Sequence, residues 1–310
     1  MKPGSQYAVR GTQSRATTFL PPGLLERLGG LDVIARAVVQ GFVAGIHRSP
    51  LRGAGEEFAR HREYQQGDDV RRLDWKLYGR TDRLYIREFE ERSNLAAYLV
   101  VDASASMAYA EPDGVSKLLY AKYLAAALAH LMLRAGDAVG LASFGADARL
   151  LVRPRSTRGQ LHQVLHQLQR LEAQGDGSSS GALQRAGEGL RRRGRVVLIS
   201  DMLEEHGGEA IIEAVGRLRA RGDEVICLRV MTPSEAGTRA LPAGRFFDPE
   251  RPGTRLPAAP GADPGYAERV ATYYRELAAR LRERGAEYVP ILTDDPVERS
   301  LIRWLRAREA

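Results

Sequence analysis

Asp102, Ser104 and Ser106 stand at alternate positions directly after an apolar run, residues 95–101 (LAAYLVV). Those seven residues have the composition of a buried strand, and the next regular pattern after the acid and hydroxyls is a long helix. A second such set, Ser200-Asp201, closes another apolar run, residues 195–199 (RVVLI). A third, Gly177-Ser178-Ser179-Ser180-Gly181, precedes a helical pattern that begins near Ala182. Open α/β sheets gather ligands where their strands end at the carboxyl edge, and all three sets fall at that edge. Together they offer two carboxylates and several neutral hydroxyls, with no imidazole or thiolate. Hard oxygen donors of this kind suit Mg²⁺ or Mn²⁺. Two carboxylates leave such an ion with uncompensated positive charge and an open position, which an acidic residue of another protein can fill.

The same residue types have plainer uses. Asp and Ser after a strand also cap helices and form turns. His162 and His166 lie four apart on one helical face, the spacing of a zinc pair, but no Glu follows His162 and no third ligand is evident. Gly177-x-Ser179-x-Gly181 formally matches a nucleophile elbow, yet it does not directly follow a buried strand. A metal-dependent hydrolase or phosphoesterase using Ser179 or Ser106 is the alternative of another class, with His206 as the histidine nearest the site. No Gly-rich phosphate loop with Lys occurs, which argues against an intrinsic ATPase.

The elements that must position these residues follow from periodicity. Residues 22–45 carry apolar positions at broadly helical spacing, interrupted by Gly29-Gly30, and predict two short helices. From residue 95 onward strands and helices alternate. Strands are predicted over 95–101, 137–144, 148–152, 195–200, 224–230 and 287–292. Helices are predicted over 117–134, 159–171, 182–192, 208–221, 264–284 and 297–308. Ser116 is placed to cap the first of these helices and Gly136 to stop it. The tight turn Gly145-Ala146-Asp147 makes the second and third strands antiparallel. The expected fold is α/β, a doubly wound, mostly parallel six-stranded sheet with one antiparallel edge strand.

Composition limits the function classes. The 310 residues are 44% hydrophobic and 27% charged, which describes a globular chain able to bury a sizeable core. No apolar run is long enough to span a bilayer, and the N-terminus lacks the order of a signal peptide, so a cytoplasmic location is expected. The net charge of +7 comes from arginines spread along the whole chain; lysine occurs only at Lys2, Lys76, Lys117 and Lys122. A compositional bias of that kind does not indicate nucleic acid as a partner. Cys227, the single cysteine, sits inside a predicted strand and excludes a disulfide framework.

Residues 53–90 are unlike the rest. They are dense in charges of both signs, yet Phe58, Tyr64, Leu73 and Trp75 interrupt them at no regular period. An irregular arm pinned by Arg–carboxylate pairs with aromatic anchors satisfies both features, and it ends in an alternating strand around Leu84, Ile86 and Phe89. Residues 1–20 read as a mobile tail, 21–94 as N-terminal helices and arm, and 95–310 as the α/β domain with a Pro/Gly-rich insertion at 232–264.

Two resemblances follow from these motifs. Asp102-x-Ser104-x-Ser106, the hydroxyl after Gly177, and Asp201 are similar to the metal-ion-dependent adhesion site of von Willebrand factor A domains. That resemblance implies a von Willebrand factor A-like fold. It also implies a site in which Ser104, Ser106 and Ser178 touch Mg²⁺ or Mn²⁺, while Asp102 and Asp201 act through water. This chain carries Ser178 where threonine is the pattern, and Ser179 is the alternative donor. Upstream, Glu57, Arg62-x-Tyr64, Asp68-Asp69-x-Arg71 and Asp74-Trp75-Lys76 resemble the signature of the bacterial family known as domain of unknown function fifty-eight. The resemblance implies a non-enzymatic adaptor or chaperone-like partner of a MoxR-type AAA+ ATPase. The arm residues are then partner-binding or structural, with Asp74 and Arg71 as members of internal ion pairs.

Overall fold

The computed structural model describes residues 21–25, 30–47, 60–63, 83–88, 96–145, 147–174, 179–190, 193–204, 207–239 and 265–309. The tail, the greater part of the arm and most of the insertion lie outside the described residues. Two helices stand on either side of the Gly29-Gly30 break, α1 (Pro22–Leu25) and α2 (Leu31–His47). The second is longer than the sequence pattern suggested, because Leu31, Ile34, Ala35, Val38, Val39 and Phe42 form one continuous buried stripe.

Within the arm, β1 (Arg60–Glu63) pairs antiparallel with β2 (Tyr85–Glu88) as a two-stranded ribbon. The sequence predicted a strand at the second position only. RHRE has no apolar alternation, so its pairing rests on backbone hydrogen bonds that side-chain periodicity does not report.

The remaining strands form one sheet: β3 (Ala96–Asp102), β4 (Ala138–Phe144), β5 (Arg149–Arg155), β6 (Gly194–Ser200), β7 (Glu224–Met231) and β8 (Glu287–Leu292). Their spatial order is β5-β4-β3-β6-β7-β8. All neighbouring pairs are parallel except β4 with β5, which is antiparallel with a register irregularity near Leu141. Pro154 is accommodated in β5 because that strand lies at the edge. The order reverses direction at β3, between β4 and β6, so the ends of β3 and β6 flank a topological switch point.

Helices cover both faces, as a buried parallel sheet requires. On one side α3 (Lys117–Arg134), α4 (Gln160–Arg170), α2 and α8 (Val297–Glu309) share a core with Ala97, Leu99 and Val101 of β3. On the other, α5 (Ser179–Gly189), α6 (Glu209–Ala220) and α7 (Tyr266–Glu283) pack against Tyr98, Val100, Val196 and Leu198. The alanine-rich α3 is buried on most of its circumference, which lets it lie between the sheet and α2. Ser116 caps it as predicted, its side chain accepting the Leu119 N–H at 3.1 Å. Among the described residues no helix is long and apolar enough to cross a membrane.

The central strand pair is so close that a single methyl is excluded. A Cβ on Gly194 would lie 1.8 Å from the Ala96 carbonyl oxygen, directly across the β3–β6 ladder. Gly194→Ala therefore forces the two central strands apart. We expect a loss of about 3 kcal/mol of unfolding free energy, read as a lower denaturant midpoint at an unchanged or smaller slope.

Candidate functional site

The site forms where β3 and β6 end side by side. Asp102 is the last residue of β3 and is buried. Its Oδ1 accepts the Ser104 N–H at 2.9 Å, and its Oδ2 accepts the Ser200 hydroxyl at 2.6 Å. Ser200 in turn accepts the Met202 N–H at 2.9 Å, so the two strand ends are joined through one carboxylate and one hydroxyl. The polar loop after β3 is a short 3₁₀ turn, Ala105–Ala108, rather than an open loop. It brings the Ser104 and Ser106 hydroxyls 3.1 Å apart, both buried. Behind this turn, Gly145 at the end of β4 is packed so tightly that an added Cβ would meet the Ala103 carbonyl at 2.9 Å.

Asp201 follows β6 and is also buried. Its Oδ1 accepts the Leu203 N–H at 3.1 Å, and its Oδ2 accepts from the Lys117 ammonium at 2.7 Å. Lys117 is 1% exposed and also donates to Glu235 Oε1 at 2.7 Å. Glu235 belongs to the turn after β7, where its other oxygen accepts from the Thr232 hydroxyl at 3.0 Å. Glu111 secures the same turn by accepting the Ser234 N–H at 2.7 Å. Each loop at this edge is therefore tied to another by a buried charged or polar side chain.

The electrostatics follow from the count of charges. One ammonium, Lys117, pairs with two carboxylates, Asp201 and Glu235, and a third, Asp102, lies close enough to Asp201 to feel its charge. Burial, and then the neighbouring charge of Asp201, push the Asp102 carboxyl up to about 7, against hydrogen bonds from Ser200 and Ser104 that favour the anion. Burial alone would lower Lys117, but the charges of Asp201 and Glu235 outweigh it and hold the ammonium above the usual lysine range. The site thus carries excess negative charge next to two hydroxyls, a donor set that suits a hard divalent cation. Among the described residues no three His, Cys, Asp or Glu side chains converge as a metal-ligand set, so any such ion would rest on hydroxyls as much as on carboxylates.

Asp102, Ser104, Ser106 and Asp201 are brought together at one edge. Ser178 lies outside the described residues. Gln174, which precedes that stretch, donates its N–H to the Ala103 carbonyl at 2.8 Å, so the chain enters the Gly/Ser loop beside the Ser104 turn. Ser179 opens α5, three residues earlier than the sequence pattern placed the helix start, so the elbow-like motif is interrupted by the helix itself. His162 and His166 are exposed on α4, consistent with a solvated helix face. Of the arm residues, Arg62 falls in β1; Glu57, Tyr64, Asp68, Asp69, Arg71, Asp74, Trp75 and Lys76 are outside the described residues. His206 is outside them as well.

Sequence reasoning did not single out Lys117, Glu235 or Glu111. One signal for Lys117 was present. It is one of four lysines in an arginine-rich chain, and it stands at the first position of a helix, where the macrodipole disfavours a cation.

The strand order, the antiparallel edge and the acid–hydroxyl cluster at the switch point define a von Willebrand factor A-like domain. Comparison with known proteins adds a family. The family described as "Protein of unknown function DUF58" matches residues 60–255, and the chain belongs to it. Uncharacterised proteins of Mycobacterium bovis and Mycobacterium tuberculosis are 28% identical over 295 residues, covering 93% of this chain and 90% of theirs. Among solved structures, BatB of Bacteroides thetaiotaomicron is similar with a TM-score of 0.44 and 19% identity, over 69% of this chain and 98% of that one. The SpRpn10 VWA domain gives a TM-score of 0.39 and 12% identity, over 67% and 93%.

The raised Asp102 pKa makes stability depend on pH. A carboxyl whose folded pKa exceeds its unfolded one favours folding while protonated. Without divalent cations that contribution is lost as pH rises from near 3.8 to about 7. Thermal melts in EDTA should show Asp102→Asn gaining on the parent protein progressively across that window. A constant difference would mean that Asp102 is not the titrating group. Lys117→Met leaves two carboxylates without their cation, and an unfolding free energy lower by about 3 kcal/mol is expected in the same buffer.

Proposed function

We propose that this protein is a non-enzymatic interaction module that binds Mg²⁺ or Mn²⁺ and, through the ion, an acidic residue of a partner protein. The observation that carries the reading is the buried Asp102–Asp201 pair, with its excess negative charge, beside the Ser104 and Ser106 hydroxyls. These hydroxyls would touch the ion together with Ser178, or with Ser179 in its place. Asp102 and Asp201 would act behind them, each oriented by hydrogen bonds already in place: Ser104 and Ser200 on Asp102, Leu203 and Lys117 on Asp201. A bound divalent ion supplies a Lewis-acidic position for a carboxylate from outside.

Binding rather than turnover is supported by the state of Lys117. Its amine is held as ammonium between two carboxylates, which removes it as a general base. Asp102 likewise has both oxygens engaged in holding the strand ends together. In the family resemblance the partner is a MoxR-type AAA+ ATPase, and an adaptor or chaperone-like role beside such an ATPase is the function we assign. A cytoplasmic location goes with that partner.

Two measurements test this. Mg²⁺ should raise the melting temperature of the intact protein, more at pH 8 than at pH 5 because protonated Asp102 is a poor partner for the ion. Asp102→Ala should abolish the effect. Absence of Mg²⁺ and Mn²⁺ binding at millimolar concentration by calorimetry refutes the metal site. A MoxR-type ATPase from the same cell should co-purify in Mg²⁺ and be lost in EDTA; equal recovery in both buffers would sink the metal-mediated contact.

A further inference from the structure

A cavity of about 610 Å³ lies at the carboxyl edge of the sheet, between the loop before α3, the residues that follow β7 and β8, and α1. Neither Asp102 nor Asp201 is among its lining residues. Its volume is that of a site for a small organic molecule, roughly 300–1,000 Å³. Among the described residues that line it, three carboxylates, Glu111, Asp113 and Asp294, stand against one guanidinium, Arg239. That guanidinium is already engaged: Nη1 donates to Glu111 Oε2 at 2.5 Å and Nη2 to Asp294 Oδ2 at 3.3 Å. The other Glu111 oxygen accepts the Ser234 N–H, so Glu111 and Arg239 satisfy each other in place.

Asp113 is different. It is exposed and makes no hydrogen bond or ion pair with any described residue. Its carboxylate is not needed to close the turn that carries it, because the Gly114 N–H donates to the Glu111 carbonyl at 3.0 Å. The lining charge is therefore negative on balance, and its open charge is a carboxylate. The uncharged lining points the same way. Pro21, Pro22, Pro112 and Pro233 contribute carbonyl oxygens but no N–H, so these walls accept hydrogen bonds and do not donate them. An anion finds few donors there, whereas an ammonium brings its own. Leu24, 44% exposed, and Val115 add apolar surface to the same cavity.

We propose that this cavity binds a small organic cation, an amine whose charged nitrogen sits against Asp113 and Asp294 and whose apolar body covers Leu24 and Val115. Charge and hydrogen-bond complementarity select the ammonium, and the apolar wall selects an amine that carries carbon surface over an inorganic ion. Glu111 belongs both to this cavity and to the bond that secures the turn after β7, so an occupant is in contact with the support of the neighbouring charged site without sharing its carboxylates.

Calorimetry on the full chain in EDTA tests this independently of the metal-mediated reading. The probes are phenethylamine, spermidine, and two analogues of the first that lack its cation, phenethyl alcohol and hydrocinnamate. Both amines should bind with dissociation constants of about 1 mM or lower, and neither analogue should bind in that range. Asp113→Asn keeps a residue suited to the turn, so folding is retained, as an unchanged melting temperature without ligand will show. It should weaken both amines about fivefold, the scale of an exposed ion pair. Leu24→Ser should weaken phenethylamine by a similar factor and leave spermidine unchanged. Equal binding of the cation-free analogues, parental phenethylamine affinity in either variant, or no amine binding at about 10 mM overturns the site, and each of these results leaves the metal-mediated reading standing.

Discussion

Two carboxylates are buried at the ends of adjacent central strands, and the arrangement of this edge depends on how their charge is balanced. Asp102 is balanced by hydrogen bonds from the Ser104 amide and the Ser200 hydroxyl, Asp201 by an ammonium and an amide. Neither oxygen set is left to solvent. Burying such groups unpaired would cost several kcal/mol, so the loops that carry their partners are held in place by the same interactions that hold the carboxylates. The 3₁₀ turn after β3, the turn after β7 and the start of α3 are fixed in this way. The concentration of charge at this edge and the rigidity of the loops around it therefore have one origin.

Lys117 illustrates how position changes the meaning of a residue. At the start of a helix it opposes the macrodipole, and inside the protein it opposes the low dielectric. Both penalties are met by Asp201 from β6 and Glu235 from the turn after β7. The ammonium thus joins three segments that the sheet topology alone brings only to the same edge. One ammonium does not neutralise the three carboxylates, so the cluster keeps an excess of negative charge whenever Asp102 is ionised.

The apolar neighbourhood has a matching logic. Met202 is buried in a left-handed conformation by Ser200 and Tyr273, and the chain direction this enforces sends Leu203 outward. The Tyr274 hydroxyl donates to the Asp201 carbonyl at 3.0 Å, and its ring stacks on the buried Arg229 guanidinium, 4.4 Å from the ring centre. Helix α7 therefore supports the charged site.

Much of this was legible in the amino-acid order. Runs of β-branched and aliphatic residues located the β-strands of the sheet, the 3.6-residue pattern located the helices, and Gly145-Ala146-Asp147 foretold the antiparallel edge. Asp102, Ser104, Ser106 and Asp201 were recognisable because each follows a strand, where topology alone puts side chains at the ligand edge. The pairing of RHRE into a ribbon was not legible, since backbone hydrogen bonds leave no side-chain pattern. Nor were Lys117 and Glu235, whose partners lie 84 and 118 residues away in sequence. Sequence alone determined which residues reach the carboxyl edge, because strand period and chain direction are local properties. Tertiary structure decided which charges face each other there, because burial and a shared low dielectric exist only once distant segments are packed together.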